Sequence, residues 1–246
     1  MRHETFPVGG PVEVAVHMTK GDVAVQTAET SEASVTVEAL NGRAEKALED
    51  VTIELHGDRL VVEYGTGVRF GIVVRDPSFR VRVTVPHDSR LDVGTVSADV
   101  RADGRYASAD VKTVSADVVI EDVAGDAKLK SVSGNLQLSR VGGRVAANTV
   151  SGDVELGEAA SAADVKTVSG NQSIDSLTEG QARLNSVSGD IRVGIRRGSG
   201  VWFDVKSASG KTVSELEPAD GPVADAPTVE LRAKAVSGDI RVVRAA

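Results

Sequence analysis

The sequence lacks several features that whole classes of protein need. Its 246 residues include no cysteine, which excludes disulfide frameworks, thiol nucleophiles and cysteine-based metal sites. It has no run of 18 apolar residues, so we expect no membrane insertion. The opening MRHETFPVGGPVEV lacks the apolar core of a secretory signal. We therefore expect a cytoplasmic protein, or a surface protein if an export signal has been trimmed.

Aromatic residues are scarce, and acidic residues outnumber basic ones. Only 3% of the residues are aromatic, whereas 41% are hydrophobic, mostly Val, Leu, Ile and Ala. A core of β-branched and other aliphatic side chains favours β-strands. The net charge of −8 at pH 7 argues against nucleic acid and anionic membranes as partners.

A short motif recurs at a fixed interval. The segment KTVSADVVIEDVAGDAKLKSVSGNLQL contains three related copies, each nine residues after the one before. The pattern Val-Ser-[Ala/Gly]-[Asp/Asn] occurs seven times, and the first five steps between copies are 18, 18, 18, 18 and 19 residues. The copies begin at Val96, Val114, Val132, Val150, Val168, Val187 and Val236. A nine-residue unit used twice predicts one 18-residue coil of a repeat protein.

Within each unit, alternate positions are apolar, which is typical of a half-buried strand. We expect Val114, Ala116, Val118 and Ile120 to point inward. The set that begins with Val132 should do the same in the next coil. A single unit cannot bury its apolar face alone, whereas stacked coils bury it continuously. The sequence therefore predicts an all-β fold, a β-solenoid with two sheets and 18-residue turns.

The two ends depart from the repeat. Residues 1–90 alternate apolar and polar between turn signals, which predicts an antiparallel β region that serves as an N-terminal cap. Residues 91–200 form the solenoid, and residues 201–246 a closing turn with a long loop, all in one continuous domain. Val229 to Val243 resumes strand alternation and is expected to supply the closing turn. Trp202 and Phe203 are interpreted either as the core of this cap or as an association patch.

Two polar columns are expected to face outward from the coils. The serine ladder consists of Ser97, Ser115, Ser133, Ser151, Ser169 and Ser188. The acid/amide ladder consists of Asp99, Asp117, Asn135, Asp153, Asn171 and Asp190. Asparagine between aspartates reduces repulsion between stacked charges, which favours a structural role. The alternatives are a calcium site, because calcium-binding solenoids also repeat Gly and Asp every nine residues, and a face that binds a glycan.

The phrase FRVRVTVPHDSRLDVGTVSADV, followed by TVSGDV-like units, resembles the bacterial putative-adhesin family of β-strand-repeat proteins. The final loop and KAVSGDIRVV are similar to the C-terminal end of that family. The resemblance covers most of the chain and is strongest from Phe79 to Val193. It implies a β-solenoid without known catalytic residues, and a role in adhesion, envelope biology or scaffolding.

No constellation for catalysis is evident. The four histidines are scattered through the N-terminal region, and no Gly-x-Ser-x-Gly motif is present. We expect no enzyme, no catalytic residue, no cofactor and no bound metal. The favoured function is a structural or interaction scaffold with a protein partner, including self-association. The alternative is a ligand-binding module that uses the outward serine and acid/amide ladders for glycan or calcium.

Overall fold

The computed structural model describes residues 1–64, 77–216 and 227–245. The prediction of an all-β fold is confirmed, and the chain divides into two compact units, Met1–Glu121 and Asp122–Ala246. The predicted organisation around residues 90 and 200 stays a prediction. Among the described residues, no helix is long and apolar enough to cross a membrane.

The first unit contains one short helix, and most of its described residues lie in strands. Its elements are β1 (Arg2–Pro7), β2 (Glu13–Ala28), β3 (Glu32–Ala39), α1 (Gly42–Ala47), β4 (Val51–His56), β5 (Arg59–Tyr64), β6 (Phe79–Pro86) and β7 (Ser89–Lys112). Helix α1 begins where the Asn41 side chain accepts a hydrogen bond from the Ala44 N–H, at 2.8 Å. Strand β8 (Val118–Val123) contains the boundary between the units.

Pairing in the first unit is mixed. Strands β1 and β3, β3 and β6, and β4 and β5 pair antiparallel, as expected for this region. Strand β2, however, pairs in parallel with β5, β6 and β7. It continues through Gly21, whose φ of 129° turns the chain without ending the strand. Coil-like parallel pairing therefore begins at β2, earlier in the chain than the sequence indicates.

The second unit consists of two parallel ladders of strands. The elements are β9 (Ala127–Lys130), β10 (Leu136–Val141), β11 (Val145–Ser151), β12 (Val154–Ala159), β13 (Ala163–Ser169), β14 (Gln172–Leu177), β15 (Gly180–Ser188), β16 (Ile191–Ile195), β17 (Gly200–Ser209), β18 (Thr212–Ser214), β19 (Thr228–Ser237) and β20 (Ile240–Arg244). One ladder has the order β9, β11, β13, β15, β19, β17. The other has the order β10, β12, β14, β16, β20, β18.

The register of these ladders confirms the predicted coil. Val145 pairs with Ala163, and Leu136 pairs with Val154, each 18 residues apart. Each coil contributes one strand to each ladder, so the unit is a two-sheet β-solenoid. Most of its inward columns are aliphatic, as in the row formed by Leu129, Ala147, Val165, Leu184 and Ala233.

The coils do not follow chain order at the C-terminal end. Strand β19 lies between β15 and β17, and β20 lies between β16 and β18. The expectation that Val229 to Val243 forms the closing turn is therefore wrong, because the coil from Gly200 to Ser214 is the last in the stack among the described strands. In that coil, Thr212 and Ser214 stand in register with the buried Ile240 and Val242. A coil with polar side chains at inward positions is less costly at the end of a stack than within it.

The first valine of each motif copy faces outward, which corrects the inward assignment of Val114 and Val132. We call these residues the valine column, and each is 44–56% exposed: Val96, Val114, Val132, Val150, Val168, Val187 and Val236. The preceding residue is buried instead, as Thr149 is before Val150. Thr149 and Val154 are both buried although they are an odd number of positions apart, because Gly152, with φ 130°, shifts the alternation by one residue.

This assignment is tested by a matched pair of substitutions. Leu136→Ala should lower the free energy of unfolding by about 2–5 kcal/mol, because it leaves a cavity in the core. Val132→Ala should change it by less than about 0.5 kcal/mol, because Val132 is 50% exposed whereas Leu136 is 1% exposed. Urea unfolding followed by circular dichroism measures both, and equal losses would contradict the outward position of Val132.

Candidate functional site

The acid/amide ladder links successive coils at the corner after each motif. In the second unit, the Asp153 N–H donates to Asn135 Oδ1 at 3.0 Å, and the Asn171 N–H donates to Asp153 Oδ1 at 2.7 Å. The Asp190 N–H donates in turn to Asn171 Oδ1 at 2.9 Å. In the first unit, the Asp117 N–H donates to Asp99 Oδ1 at 3.0 Å. Aspartate and asparagine are interchangeable in the ladder because each supplies the acceptor oxygen that the hydrogen bond needs.

The ladder continues beyond the predicted residues and ends in the terminal coil. The Asp239 N–H donates to Asp190 Oδ1 at 2.8 Å, and the Lys211 N–H donates to Asp239 Oδ1 at 2.7 Å. The Lys211 side chain carries no acceptor, so the series cannot extend past it. Asp239 and Lys211 are not among the predicted members of the ladder, because the coil order that brings them together was not predicted.

Glycine precedes most members of the ladder for a steric reason. Gly152, Gly170, Gly189 and Gly238 have φ between 130° and 142°. A methyl group at any of these positions would overlap the backbone carbonyl of the glycine in the adjacent coil. Only glycine has no Cβ and accepts this dihedral without strain. At these four positions glycine is therefore required for the coils to stack this closely.

In each unit, each serine of the ladder directly follows an exposed valine of the valine column, just before this corner. All six serines of the ladder are exposed, two in the first unit and four in the second: Ser97 and Ser115, then Ser133, Ser151, Ser169 and Ser188. Sequence reasoning missed the exposed valines. A signal was present in the sequence, since a threonine or serine stands immediately before each of the first six valines, as Thr167 does before Val168. In the structure these threonines and serines are buried.

The terminal coil exposes its aromatic residues. Trp202 is 54% exposed and Phe203 is 41% exposed, so the interpretation of both as cap core is wrong. Phe203 is in register with the buried Leu231, so its side chain points inward like that of Leu231. It is exposed because no described residue follows it in this inward column. The Arg232 guanidinium carbon lies 5.7 Å from the centre of the Trp202 ring, within cation–π range.

Charged side chains lie beside these aromatic residues. The Lys206 ammonium is 3.0 Å from Asp204 Oδ1, on the same strand. A hydrogen bond from Lys206 holds the pKa of Asp204 below its ordinary value, with Lys234 and Arg232 adding to the effect. Asp204 therefore carries its negative charge at neutral pH, beside the exposed Lys206 ammonium.

A buried titratable group in the first unit has a structural role. Burial raises the pKa of the Tyr106 hydroxyl well above its ordinary range, so the group stays protonated. It donates a hydrogen bond to the Val25 carbonyl oxygen at 2.7 Å, which joins β7 to β2. In the described part of the chain, no three His, Asp or Glu side chains lie close enough together to hold a metal ion.

The chain belongs to the Toastrack DUF4097 family, whose model matches residues 12–244, and the predicted family resemblance is confirmed. A "putative adhesin" from Parabacteroides distasonis ATCC 8503 is 14% identical with a TM-score of 0.55, over 98% of this chain and 96% of that one. A "putative lipid binding protein" from the same organism is 12% identical with a TM-score of 0.57, over 99% and 96%. At these identities the likeness concerns the fold. No curated protein has significant similarity to the chain.

The role of the acid/amide ladder is tested at Asp153. Asp153→Ala should lower the free energy of unfolding by about 1.5 kcal/mol, because the Asn171 N–H loses its charged acceptor. Asp153→Asn keeps an acceptor oxygen and should cost less than about 0.5 kcal/mol. Both are measured by urea unfolding in the same buffer. An asparagine variant as unstable as the alanine variant would show that charge, rather than the hydrogen bond, is required.

Proposed function

We propose that this member of the Toastrack DUF4097 family is a non-enzymatic, adhesin-like scaffold that associates through the open end of its second unit, including with other copies of itself. The observation that carries the proposal is the exposure of Trp202 and Phe203 on the terminal coil. Tryptophan is enriched among the residues that dominate binding energy at protein interfaces. A coil at the end of a solenoid also presents a strand edge that can pair with another chain.

The arrangement of polar groups favours interaction over chemistry. Along the repeat, the acceptor oxygens of the acid/amide ladder already bind backbone N–H groups, as Asp190 Oδ1 binds the Asp239 N–H. Regular stacking distributes identical side chains evenly, whereas catalysis needs a few dissimilar groups converging on one point. The names of the two structural relatives refer to adhesion and lipid binding, which are binding functions.

The proposal is tested by measuring the mass of the protein in solution across a wide concentration range. We expect concentration-dependent association, weakened at least about tenfold by Trp202→Ser, as loss of a central aromatic contact typically does. Val168→Ser is the matched control, because this valine is also about half exposed but lies on the side of the solenoid. A protein that stays monomeric at every concentration would overturn the proposal.

A second candidate function is a ligand-binding module that uses the side of the second unit. It is favoured by the regular exposure of Ser151, Ser169 and Ser188 beside half-exposed valines, which offers hydroxyl groups next to a flat apolar strip. Such a surface matches a repetitive ligand such as a glycan. The acidic members of the ladder are the groups that calcium would use.

This candidate predicts a monomer that binds a glycan or calcium. Isothermal titration with calcium chloride and with a panel of soluble oligosaccharides measures the affinity directly. The triple change of Ser151, Ser169 and Ser188 to alanine should abolish glycan binding while leaving the unfolding midpoint unchanged, because these side chains are exposed. Absence of heat with every probe would remove this candidate.

A further inference from the structure

We propose that association at the terminal coil is a two-fold dimer in which β17 pairs antiparallel with β17 of a second copy, with the symmetry axis at Val205. This inference rests on the proposed function, because it specifies the partner and the geometry of the same end. It follows from three features of β17: the direction of its free backbone groups, the order of its charges, and the way the hydrogen-bond ladder ends beside it.

One edge of β17 is unpaired in the part of the chain that the structure describes. Among the described strands, β17 pairs with β19 alone. The Gly200 N–H donates to the Pro227 carbonyl oxygen at 2.8 Å, so Gly200 directs its backbone groups toward β19. Because these directions alternate along a strand, Val201, Phe203 and Val205 direct their N–H and C=O groups to the opposite edge. That edge is a template for another strand.

Two-fold pairing of identical strands restricts the register. Residues whose backbone groups face the free edge must pair with each other, which allows an axis at Phe203, Asp204 or Val205 near the middle of the strand. An axis at Asp204 sets the two Asp204 carboxylates directly opposite each other, which is unfavourable. An axis at Phe203 sets Asp204 opposite Trp202 and leaves Lys206 opposite Gly200, so no charges are paired.

An axis at Val205 makes the strand complementary to itself. Asp204 of each copy then lies opposite Lys206 of the other, so both copies gain an opposite-charge pair across the interface. These two side chains already form an ion pair at 3.0 Å within one copy, and pairing would join four charges of alternating sign. Trp202 would lie opposite Ala208, whose small side chain leaves space for the indole ring.

The terminal coil also favours a closed dimer over a growing stack. A further coil of the same kind would need an acceptor for its corner N–H, but the acid/amide ladder ends at the Lys211 N–H. The inward positions Thr212 and Ser214 likewise offer no apolar surface for a stacked copy. Two-fold pairing through β17 uses the free edge of both copies at once, and it therefore stops at two.

Charge exchange tests the register. Asp204→Lys places lysine opposite Lys206, and Lys206→Asp places aspartate opposite Asp204. Because the two-fold axis repeats the change, each single variant loses two charge pairs, and dimerisation should weaken at least about tenfold. The double variant restores opposite charges and should dimerise within about threefold of the unchanged protein. Asp175→Lys is the control for net charge, because Asp175 is exposed on β14, away from this edge. Sedimentation equilibrium measures each dissociation constant.

Cysteine crosslinking tests the position of the axis, in a chain with no cysteine of its own. At the axis, two Val205 Cα atoms would lie about 5.5 Å apart, so Val205→Cys should form a disulfide dimer on mild oxidation. Val201→Cys is the matched control, since its two copies would lie about 27 Å apart. Circular dichroism before oxidation checks whether each variant is folded.

The outcomes separate this inference from the proposed function. Restoration by the double variant together with crosslinking at position 205 alone is the expected result. Association that is insensitive to both charge changes, or crosslinking at position 201, would overturn the two-fold register while leaving a self-associating scaffold. A monomer at all concentrations would overturn both.

Discussion

The fold depends on a hydrogen bond between neighbouring coils at the corner that follows the repeated motif. A backbone N–H at a sharp corner falls outside the regular strand ladder and still needs an acceptor, because an unsatisfied amide is costly. Asp or Asn in the adjacent coil supplies that acceptor, as Asn135 does for Asp153. The adjoining glycine lets the two backbones approach closely enough. One acceptor side chain, accompanied in most coils by a glycine, thus sets the 18-residue register of the stack.

The same constraint determines where the stack ends. Each coil that accepts a neighbour must offer an oxygen at the corner, and the terminal coil offers Lys211 instead. Its inward positions are also polar on one strand, at Thr212 and Ser214. What remains exposed is a strand edge that carries Trp202 and Phe203. The regular repeats along the sides therefore stabilise the fold, and we assign association to the irregular coil at the end.

The sequence predicts the 18-residue period, the two sheets of the solenoid and the family, because each depends on a local spacing that repeats along the chain. It assigns Val132 to the wrong face, because the glycine at the corner shifts the alternation by one residue. The position of β19 between β15 and β17 could not be predicted, since two coils with compatible spacing compete for one place and only tertiary packing decides between them. The exposure of Trp202 depends on that order, so it could not be predicted either.

The central claim is that corner amides are held by side chains of the adjacent coil. Hydrogen exchange of the Asp153, Asn171 and Asp190 amides, measured residue by residue, tests it most directly. These amides lie at solvent-facing corners, yet each donates to an acceptor within 3.0 Å. Exchange slowed to a rate close to that of the neighbouring strands is the predicted result. Exchange as fast as in an unstructured peptide would contradict the account.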